Sequence, residues 1–339
     1  MQLSEIKLTP LIDTLQLVKI SDAEYFSPKY GNYISNSRLG LLNPQQGGSP
    51  ESFFAGFKDE GFNSSFQLGS AVHELCLQPE YFELAPQLNK PTAKLGAMAD
   101  ELYSVWLQHP VKTEDIIKAS DVVNYYKGKL TPERIKQVNI QCIPYWKARK
   151  QAKLTSTKEL IYLDNKSQDT VTNCVEALAN NKQIQDLLHP SGFIDTPLSL
   201  NENAILLDVQ VECPNGKSFI LHLKAKLDNF TIDLEQDTIV VNDVKTIGKV
   251  VSEIDSNINR FHYNRELSFY LFLLRLYVTK EYKIENPTVK ANYLVVSTIP
   301  QYYTKVRSMS NKEIREGLHE FKTLLRYAAY QIGYNGYSL

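Results

Sequence analysis

Two stretches in the second half of the chain place charged side chains inside apolar sequence. One reads KAKLDNF and contains Lys226 and Asp228, and the other reads VVNDVKT and contains Asp243 and Lys245. Because side chains alternate across a strand, the acid and the lysine of each stretch project from the same face. Charged pairs on strands that otherwise lead into a core indicate chemistry at that face.

The two strands bring their acids together if they pair antiparallel through the intervening DNFTIDLEQDT. Two close carboxylates repel, and each is driven towards protonation unless a cation lies between them. Oxygen ligands from Asp228 and Asp243, with the backbone carbonyl of Val244, suit Mg²⁺ or Mn²⁺. Lys245 would then orient a water and offset the charge that builds on a pentavalent phosphorus. The alternative is a structural Asp–Lys ion pair at a strand end.

The elements before these strands are predicted to be helical. Residues 1–66 are mixed, with a short helix around SNSRLGLL followed by a loop, and helical spacing surrounds His73 in 65–82 until Pro79. From about 91 to 190 the helical pieces are TAKLGAMADELYSVWLQ, TEDIIKASDVVNYYKGK, TPERIKQVNIQCIPYWKARKQ and SQDTVTNCVEALANNKQIQDLLHP.

After residue 190 the period of the hydrophobic pattern changes to two. FIDTPLSLNE, AILLDVQVEC, KSFILHLKAKLDNFTIDLE and DTIVVNDVKT are interpreted as successive strands, with CPNGK as a hairpin turn. One long helix over 257–278, the strand ANYLVVSTI and a closing amphipathic helix follow. The sequence therefore predicts an α/β (α+β) fold in a single domain, 1–339, with a helical insertion over 91–190 and a catalytic sheet with its core helix over 191–300.

Composition excludes several classes of protein. The chain has 339 residues, 43% of them hydrophobic, and a formal charge of −1, so it has no global attraction for nucleic acid. The basic run WKARKQAK offers a local one, or is only a solvated helix face. Four scattered cysteines argue against a zinc knuckle or a disulfide framework. Without a signal peptide or membrane span, a cytoplasmic location is expected.

Four short motifs, in order along the chain, resemble the PD-(D/E)XK nuclease superfamily in its RecB-like branch, which includes phage exonucleases of the lambda and RecE type. They are GSAVHELC (69–76), KAKLDNF (224–230), NDVKT (242–246) and YNRELSFY (263–270), and the wider similarity runs from about 33 to 330. The resemblance implies a central mixed β-sheet of the PD-(D/E)XK nuclease type, flanked by helices, with a large helical insertion before the sheet.

The resemblance also implies roles for individual residues. His73 would join the metal ligands, Asp228 would be the first metal-binding acid, and Asp243 with Lys245 would form the (D/E)XK element. A Q-x-x-x-Y helix follows in the family, and here it runs from Glu266 to Tyr270. The glutamate replaces the usual glutamine, and its carboxylate could add a ligand or repel a phosphate.

Further candidates surround these motifs. One of Glu202, Asp208 and Glu212 could be an additional acidic ligand, as in related nucleases, or all three could be solvent-facing strand residues. Tyr263, Glu266 and Tyr270 share nearly one helix face. Together with Lys226 they are candidates for substrate binding, although aromatic residues at helical spacing usually belong to a core.

These inferences together predict a Mg²⁺-dependent DNA exonuclease acting on double-stranded DNA ends, 5′ to 3′, in phage recombination or DNA processing. The resemblance further implies a homo-oligomeric ring and a single-strand annealing protein as partner, in the host cytoplasm if the chain is phage-encoded. Two alternatives stay open: a structure-specific or single-strand endonuclease on the same core, and a catalytically inactive domain that binds DNA or protein.

Overall fold

A computed structural model describes residues 3–56, 64–91, 93–108, 131–190 and 198–338. By internal packing the chain divides into two units, one formed by Met1–Gln78 with Val171–Leu339 and the other by Pro79–Thr170. The predicted helix TEDIIKASDVVNYYKGK lies outside the described residues. The predicted single domain, with its 91–190 insertion and 191–300 core, stays a prediction.

The larger unit is built on a six-stranded mixed sheet. Its strands, in spatial order, are β1 (Lys7–Val18), β4 (Leu198–Glu212), β5 (Ser218–Asp233), β6 (Thr238–Ile247), β7 (Thr288–Ser297) and β8 (Thr304–Ser308). All neighbours are antiparallel except β6 and β7, which are parallel. Because a parallel pair needs a crossover, the chain leaves the sheet between them and returns through two helices.

Helices flank this sheet. They are α1 (Asp22–Tyr25), α2 (Asn36–Gly40), α3 (Pro50–Ala55), α4 (Ser64–Leu77), α7 (Asn165–Asn180, which belongs to this unit from Val171 on), α8 (Lys182–Leu188), α9 (Ile254–Phe261), α10 (Tyr263–Tyr282) and α11 (Asn311–Asn335). The ring of Phe269 on α10 stacks on Phe321 of α11 at 4.5 Å between centroids. The mixed sheet with flanking helices confirms the predicted α/β class.

Several elements differ from the sequence prediction. The single helix expected over 257–278 is two helices, because the backbone of His262 has a left-handed φ of 54°, which interrupts the helix and turns the chain. The predicted strands FIDTPLSLNE and AILLDVQVEC are one strand, β4, over the part that the structure describes, and residues 193–197 lie outside the described residues. Strands β1 and β8 were not predicted. β1 contains Pro10, which has no backbone N–H to donate and is tolerated because β1 is an edge strand. The register of β1 against β4 shifts after Leu11.

The smaller unit contains α5 (Ala93–Gln108), α6 (Pro132–Thr155) and a parallel pair of short strands, β2 (Phe82–Leu84) and β3 (Glu159–Ile161). Trp146 is fully buried and donates its indole N–H to the Ala99 carbonyl at 2.7 Å. Lys147, Lys150 and Lys153 of the same basic run are exposed. The run is therefore half core and half solvated helix face.

None of the helices in the described ranges combines the length and the apolar character needed to cross a membrane. The core of the larger unit is formed where the apolar faces of β4 to β7 meet α10 and α11.

Candidate metal centre

The candidate site lies where β5 and β6 separate. Their paired register ends at Asn229 opposite Asn242, and the next residue on each strand is an acid, Asp228 on β5 and Asp243 on β6. Beyond this point the Asp228 carboxylate accepts a hydrogen bond from the backbone N–H of Val244 at 2.8 Å. The two acidic stretches thus come together where the paired strands β5 and β6 diverge, a point that we call the fork of the sheet.

Glu202 on β4 brings a third carboxylate to the fork. It lies between the register pairs Asn201–Asn229 and Asn203–Leu227, and so opposite Asp228. Its φ of 54° is left-handed, which is uncommon for a residue with a side chain and locally interrupts the β4–β5 ladder. Strained backbone of this kind persists where the surroundings hold it, and often at functional sites.

His73 reaches the same acids from α4. Its Nδ1 lies 3.2 Å from Oδ2 of Asp228, and ligand atoms of His73, Glu202 and Asp228 all lie within 4.8 Å of one another. A Cβ at Gly69 would come within 3.2 Å of the hydroxyl of Thr246, so a glycine there lets α4 approach β6 closely. The helix that carries the histidine is therefore held against the strand that carries Asp243.

Lys245 organises a second group of charges beside the first. Its Nζ lies 2.8 Å from Oδ2 of Asp243 and 3.1 Å from Oε2 of Glu266 on α10. The hydroxyl of Tyr270 donates to the other oxygen of Glu266 at 3.2 Å, and the ring of Tyr263 lies 4.6 Å from the ammonium nitrogen. Glu266 is therefore a counter-charge to Lys245.

The pKa values in the site reflect burial and crowded negative charge. Burial, followed by repulsion from Glu202, raises the pKa of Asp228 well above its ordinary range, and burial likewise raises the pKa of Asp243. For His73, burial and the charge of Lys245 lower the pKa, which favours a neutral imidazole. Burial alone would lower the pKa of Lys245, but attraction to its carboxylates outweighs that effect and raises it.

These groups fit a hard divalent cation. Burial and the neighbouring carboxylates disfavour ionisation of Asp228 and Asp243 even with Lys245 beside Asp243, and a bound cation would offset that cost. Oδ2 of Asp243 is buried, and although the Lys245 ammonium is near, no described group gives it a hydrogen bond of good geometry. Three carboxylates and a neutral imidazole are ligands that Mg²⁺ or Mn²⁺ accepts. His73, Glu202 and Asp228, whose ligand atoms lie together, would hold it, and Asp243 on the neighbouring strand would be the further acidic ligand.

A row of four asparagine amides, three of them buried, fixes the strands that carry the acids. Direct register partners on neighbouring strands are hydrogen-bonded through their side chains, with Asn229 donating to Asn201 at 2.7 Å, Asn242 to Asn229 at 2.8 Å and Asn292 to Asn242 at 2.9 Å. Ser308 on β8 completes the row by donating to Asn292 at 2.6 Å. We call this row the asparagine ladder.

The asparagine ladder links register to the site. Asn229 and Asn242 are each adjacent in sequence to a site acid and, by strand alternation, lie on the opposite face of the sheet. The ladder also binds helices: Asn201 donates to the carbonyl of Leu77, the last residue of α4, and Asn242 to that of Leu187 on α8. A slipped strand would leave fully buried amides unpaired, so the ladder favours the one register that aligns the acids.

The other predicted residues have different surroundings. Lys226 is paired with both Glu202 at 2.7 Å and Asp22, so two carboxylates already engage it. Asp208 pairs with His222 at 2.7 Å, and Glu212 with Lys7 at 3.7 Å on the surface. Among the three acids considered from sequence, Glu202 is the one that reaches the cluster.

The asparagine ladder has a signal in the sequence that is separate from the charged pairs. A ladder asparagine lies next to a site acid on each of three successive strands, in Asn201–Glu202, Asp228–Asn229 and Asn242–Asp243. Each pair places an amide on one face of the sheet and a charged side chain on the other. The position of Glu202 itself depends on its left-handed backbone, for which alternation gives no indication.

Fold and site together define an α/β protein with a candidate centre for a divalent cation. No protein family description matches the chain, and no curated protein does. Among solved structures, the chain is similar to a candidate exonuclease from Eubacterium rectale, at 10% identity and a TM-score of 0.46, over 95% of this chain and 89% of that one. A similarity at this level assigns neither a family nor an activity.

Proposed function

We propose that this protein is a metal-dependent deoxyribonuclease that hydrolyses phosphodiester bonds at the ends of duplex DNA. The observation that carries the proposal is the convergence of His73, Glu202 and Asp228 at one fork of the sheet, with Asp243 on the neighbouring strand paired to a protonated lysine. Hydrolysis of a phosphodiester needs an activated water and positive charge near the phosphate. The cluster combines groups suited to both requirements.

Lys245 has the clearest role among the chain's own groups. Its raised pKa keeps the ammonium protonated, and Asp243 and Glu266 fix its position from two sides. A fixed ammonium stabilises negative charge that builds on the phosphoryl oxygens and orients the attacking water. Water adds to phosphorus and gives up one proton to solvent, the bond from phosphorus to the leaving oxygen breaks, and a solvent proton neutralises that oxygen.

A divalent cation, when bound, supplies charge to the scissile phosphate and lowers the pKa of water at the site. The chain's part is to hold the acids that receive it. The asparagine ladder holds Asp228 and Asp243 in register, and the left-handed Glu202 completes the set. The neutral His73 adds a nitrogen ligand without adding a charge that would repel a cation.

The finer features of the proposal follow from the sequence resemblance. They are 5′-to-3′ polarity, a role in phage recombination or DNA processing, a homo-oligomeric ring, and a single-strand annealing protein as partner. The cofactor in this proposal is Mg²⁺, with Mn²⁺ as its substitute. The four motifs that carry the resemblance support these features, and each needs its own measurement.

The test uses end-labelled linear duplex with Mg²⁺ and, in parallel, with EDTA. We expect nucleotide release by the wild type in Mg²⁺ alone, and loss of release in Asp243→Ala and Lys245→Ala. Asp208→Asn is the matched control, because Asp208 also pairs with a basic side chain but lies outside the cluster. Equal release by all four proteins would reject the proposal, and cleavage of closed circular DNA would favour the endonuclease alternative.

A further inference from the structure

At the junction of α9 and α10, two stacked aromatic rings lie between two cationic side chains. The Lys245 ammonium lies 4.6 Å from the centre of the Tyr263 ring, and that ring is stacked on Phe261 with centroids 5.6 Å apart and planes at 27°. The Arg260 guanidinium lies 5.1 Å from the centre of the Phe261 ring. The stack thus leads from the proposed catalytic lysine to the surface.

The backbone holds this stack in place. His262, between the two aromatic residues, is left-handed, and this sharp change of direction separates α9 from α10 and permits face-to-face rings two residues apart. Its Nδ1 lies 2.8 Å from Oε1 of Glu320, and the same glutamate binds the buried Arg265 at 2.9 Å. The Phe261 ring is therefore carried by a braced turn.

Phe261 nevertheless remains open to solvent, with 43% of its surface exposed. Single exposed apolar side chains are common on protein surfaces and by themselves indicate nothing. What distinguishes Phe261 is its neighbours, since it is stacked parallel to a second ring beside Lys245 and has an exposed arginine next to it. An exposed ring with flanking positive charges complements an unpaired base with flanking phosphates.

We propose that Phe261 and Arg260 form a stacking platform for an unpaired nucleobase next to the scissile phosphate. This inference rests on the nuclease function proposed above and specifies its substrate further: the strand enters the site with its terminal base unstacked. Every base has a π face, so the platform binds without reading sequence. A base within intact duplex has both faces covered by its neighbours and cannot use it.

The test measures binding of a short single-stranded oligonucleotide in EDTA, where the proposed hydrolysis does not occur. A 2-aminopurine at the terminal position reports stacking through fluorescence quenching. Loss of one base–aromatic stack corresponds to about 5-fold to 150-fold weaker binding. We expect Phe261→Ala to show that loss and to abolish quenching, and Phe261→Trp to retain both. Tyr303→Ala, which removes an aromatic side chain 64% exposed in the β7–β8 turn, should bind as the wild type does.

An abasic site at the terminal position completes a thermodynamic cycle. If the base stacks on Phe261, the abasic strand binds the wild type as weakly as the intact strand binds Phe261→Ala. Binding of the abasic strand to Phe261→Ala should then be no weaker than either single change makes it. Additive losses, or no detectable binding of the strand to the wild type, would overturn the platform. Coupling without Mg²⁺-dependent turnover would support the platform and reject the nuclease, whereas turnover without coupling would do the reverse.

Discussion

Replacing Asn242 with alanine should destabilise the larger unit more than any change at the end of the asparagine ladder. Asn242 is fully buried and has three side-chain hydrogen bonds, to Asn229, Asn292 and the Leu187 carbonyl. Its removal leaves a buried oxygen on Asn229 and a buried N–H group on Asn292 without partners. At about 1–3 kcal/mol for each of these two unsatisfied groups, we expect a loss of about 2–6 kcal/mol in the free energy of unfolding.

Ser308→Ala is the matched control for this variant. Ser308 is an end member of the same ladder, but it is exposed and donates one hydrogen bond, to Asn292. Water can replace that bond, so the expected loss is about 1 kcal/mol or less. The contrast between the two variants isolates the cost of interrupting the ladder where no water reaches it.

The assay must report on the unit that contains the ladder. Both tryptophans, Trp106 and Trp146, belong to the Pro79–Thr170 unit, so tryptophan fluorescence reports on the wrong part of the chain. Urea unfolding followed by far-ultraviolet circular dichroism, with hydrogen exchange to separate the units, measures the right one. Losses for Asn242→Ala and Ser308→Ala that agree within about 0.5 kcal/mol would refute the argument from buried amides.

Three further outcomes are expected. Burial lowers the pKa of Lys224 from 10.5 to about 8, so between these pH values the folded protein binds fewer protons than the unfolded chain and its stability rises with pH. That rise in the free energy of unfolding is up to about 3 kcal/mol, and Lys224→Met should flatten it in urea titrations at pH 7 and 10. A Cβ at Gly317 would collide with a backbone carbonyl of α10, so Gly317→Ala should lower the melting temperature despite the better helix propensity of alanine, whereas Gly248→Ala, which has open space, should not. Glu202→Gln should weaken Mn²⁺ binding, measured by calorimetry, by about tenfold or more, and Asp208→Asn should leave it unchanged.

Strand alternation predicted much of the site from sequence. It placed Asp243 and Lys245 on one face, and the antiparallel pairing of β5 with β6 brings Asp228 to the same fork. The family resemblance added His73, which alternation could not supply because the residue lies on a helix far upstream in the chain. These residues were predictable because each depends on local spacing or on a short motif.

Other features depend on conformations that spacing does not encode. Glu202 could not be separated from Asp208 and Glu212, since its selection rests on one left-handed residue in a long strand. The same conformation at His262 divides what the hydrophobic pattern indicates to be one helix. Lys226 had the residue type and strand position expected for binding a phosphate, but in the fold it forms ion pairs with Asp22 and Glu202. In each case local spacing leaves the deciding feature open.

The glutamate at position 266 acquires a physical explanation from the charges around it. Four carboxylates, on Glu202, Asp228, Asp243 and Glu266, adjoin two lysines at the fork, Lys226 and Lys245. Lys226 is paired with Glu202 and Asp22, so Lys245 must balance both Asp243 and Glu266. A glutamine at 266 could still accept a hydrogen bond from Lys245, but it would not help to keep that ammonium protonated in a buried setting. The Glu266 carboxylate therefore keeps Lys245 protonated. It also adds one negative charge to the site, which favours binding of a divalent cation.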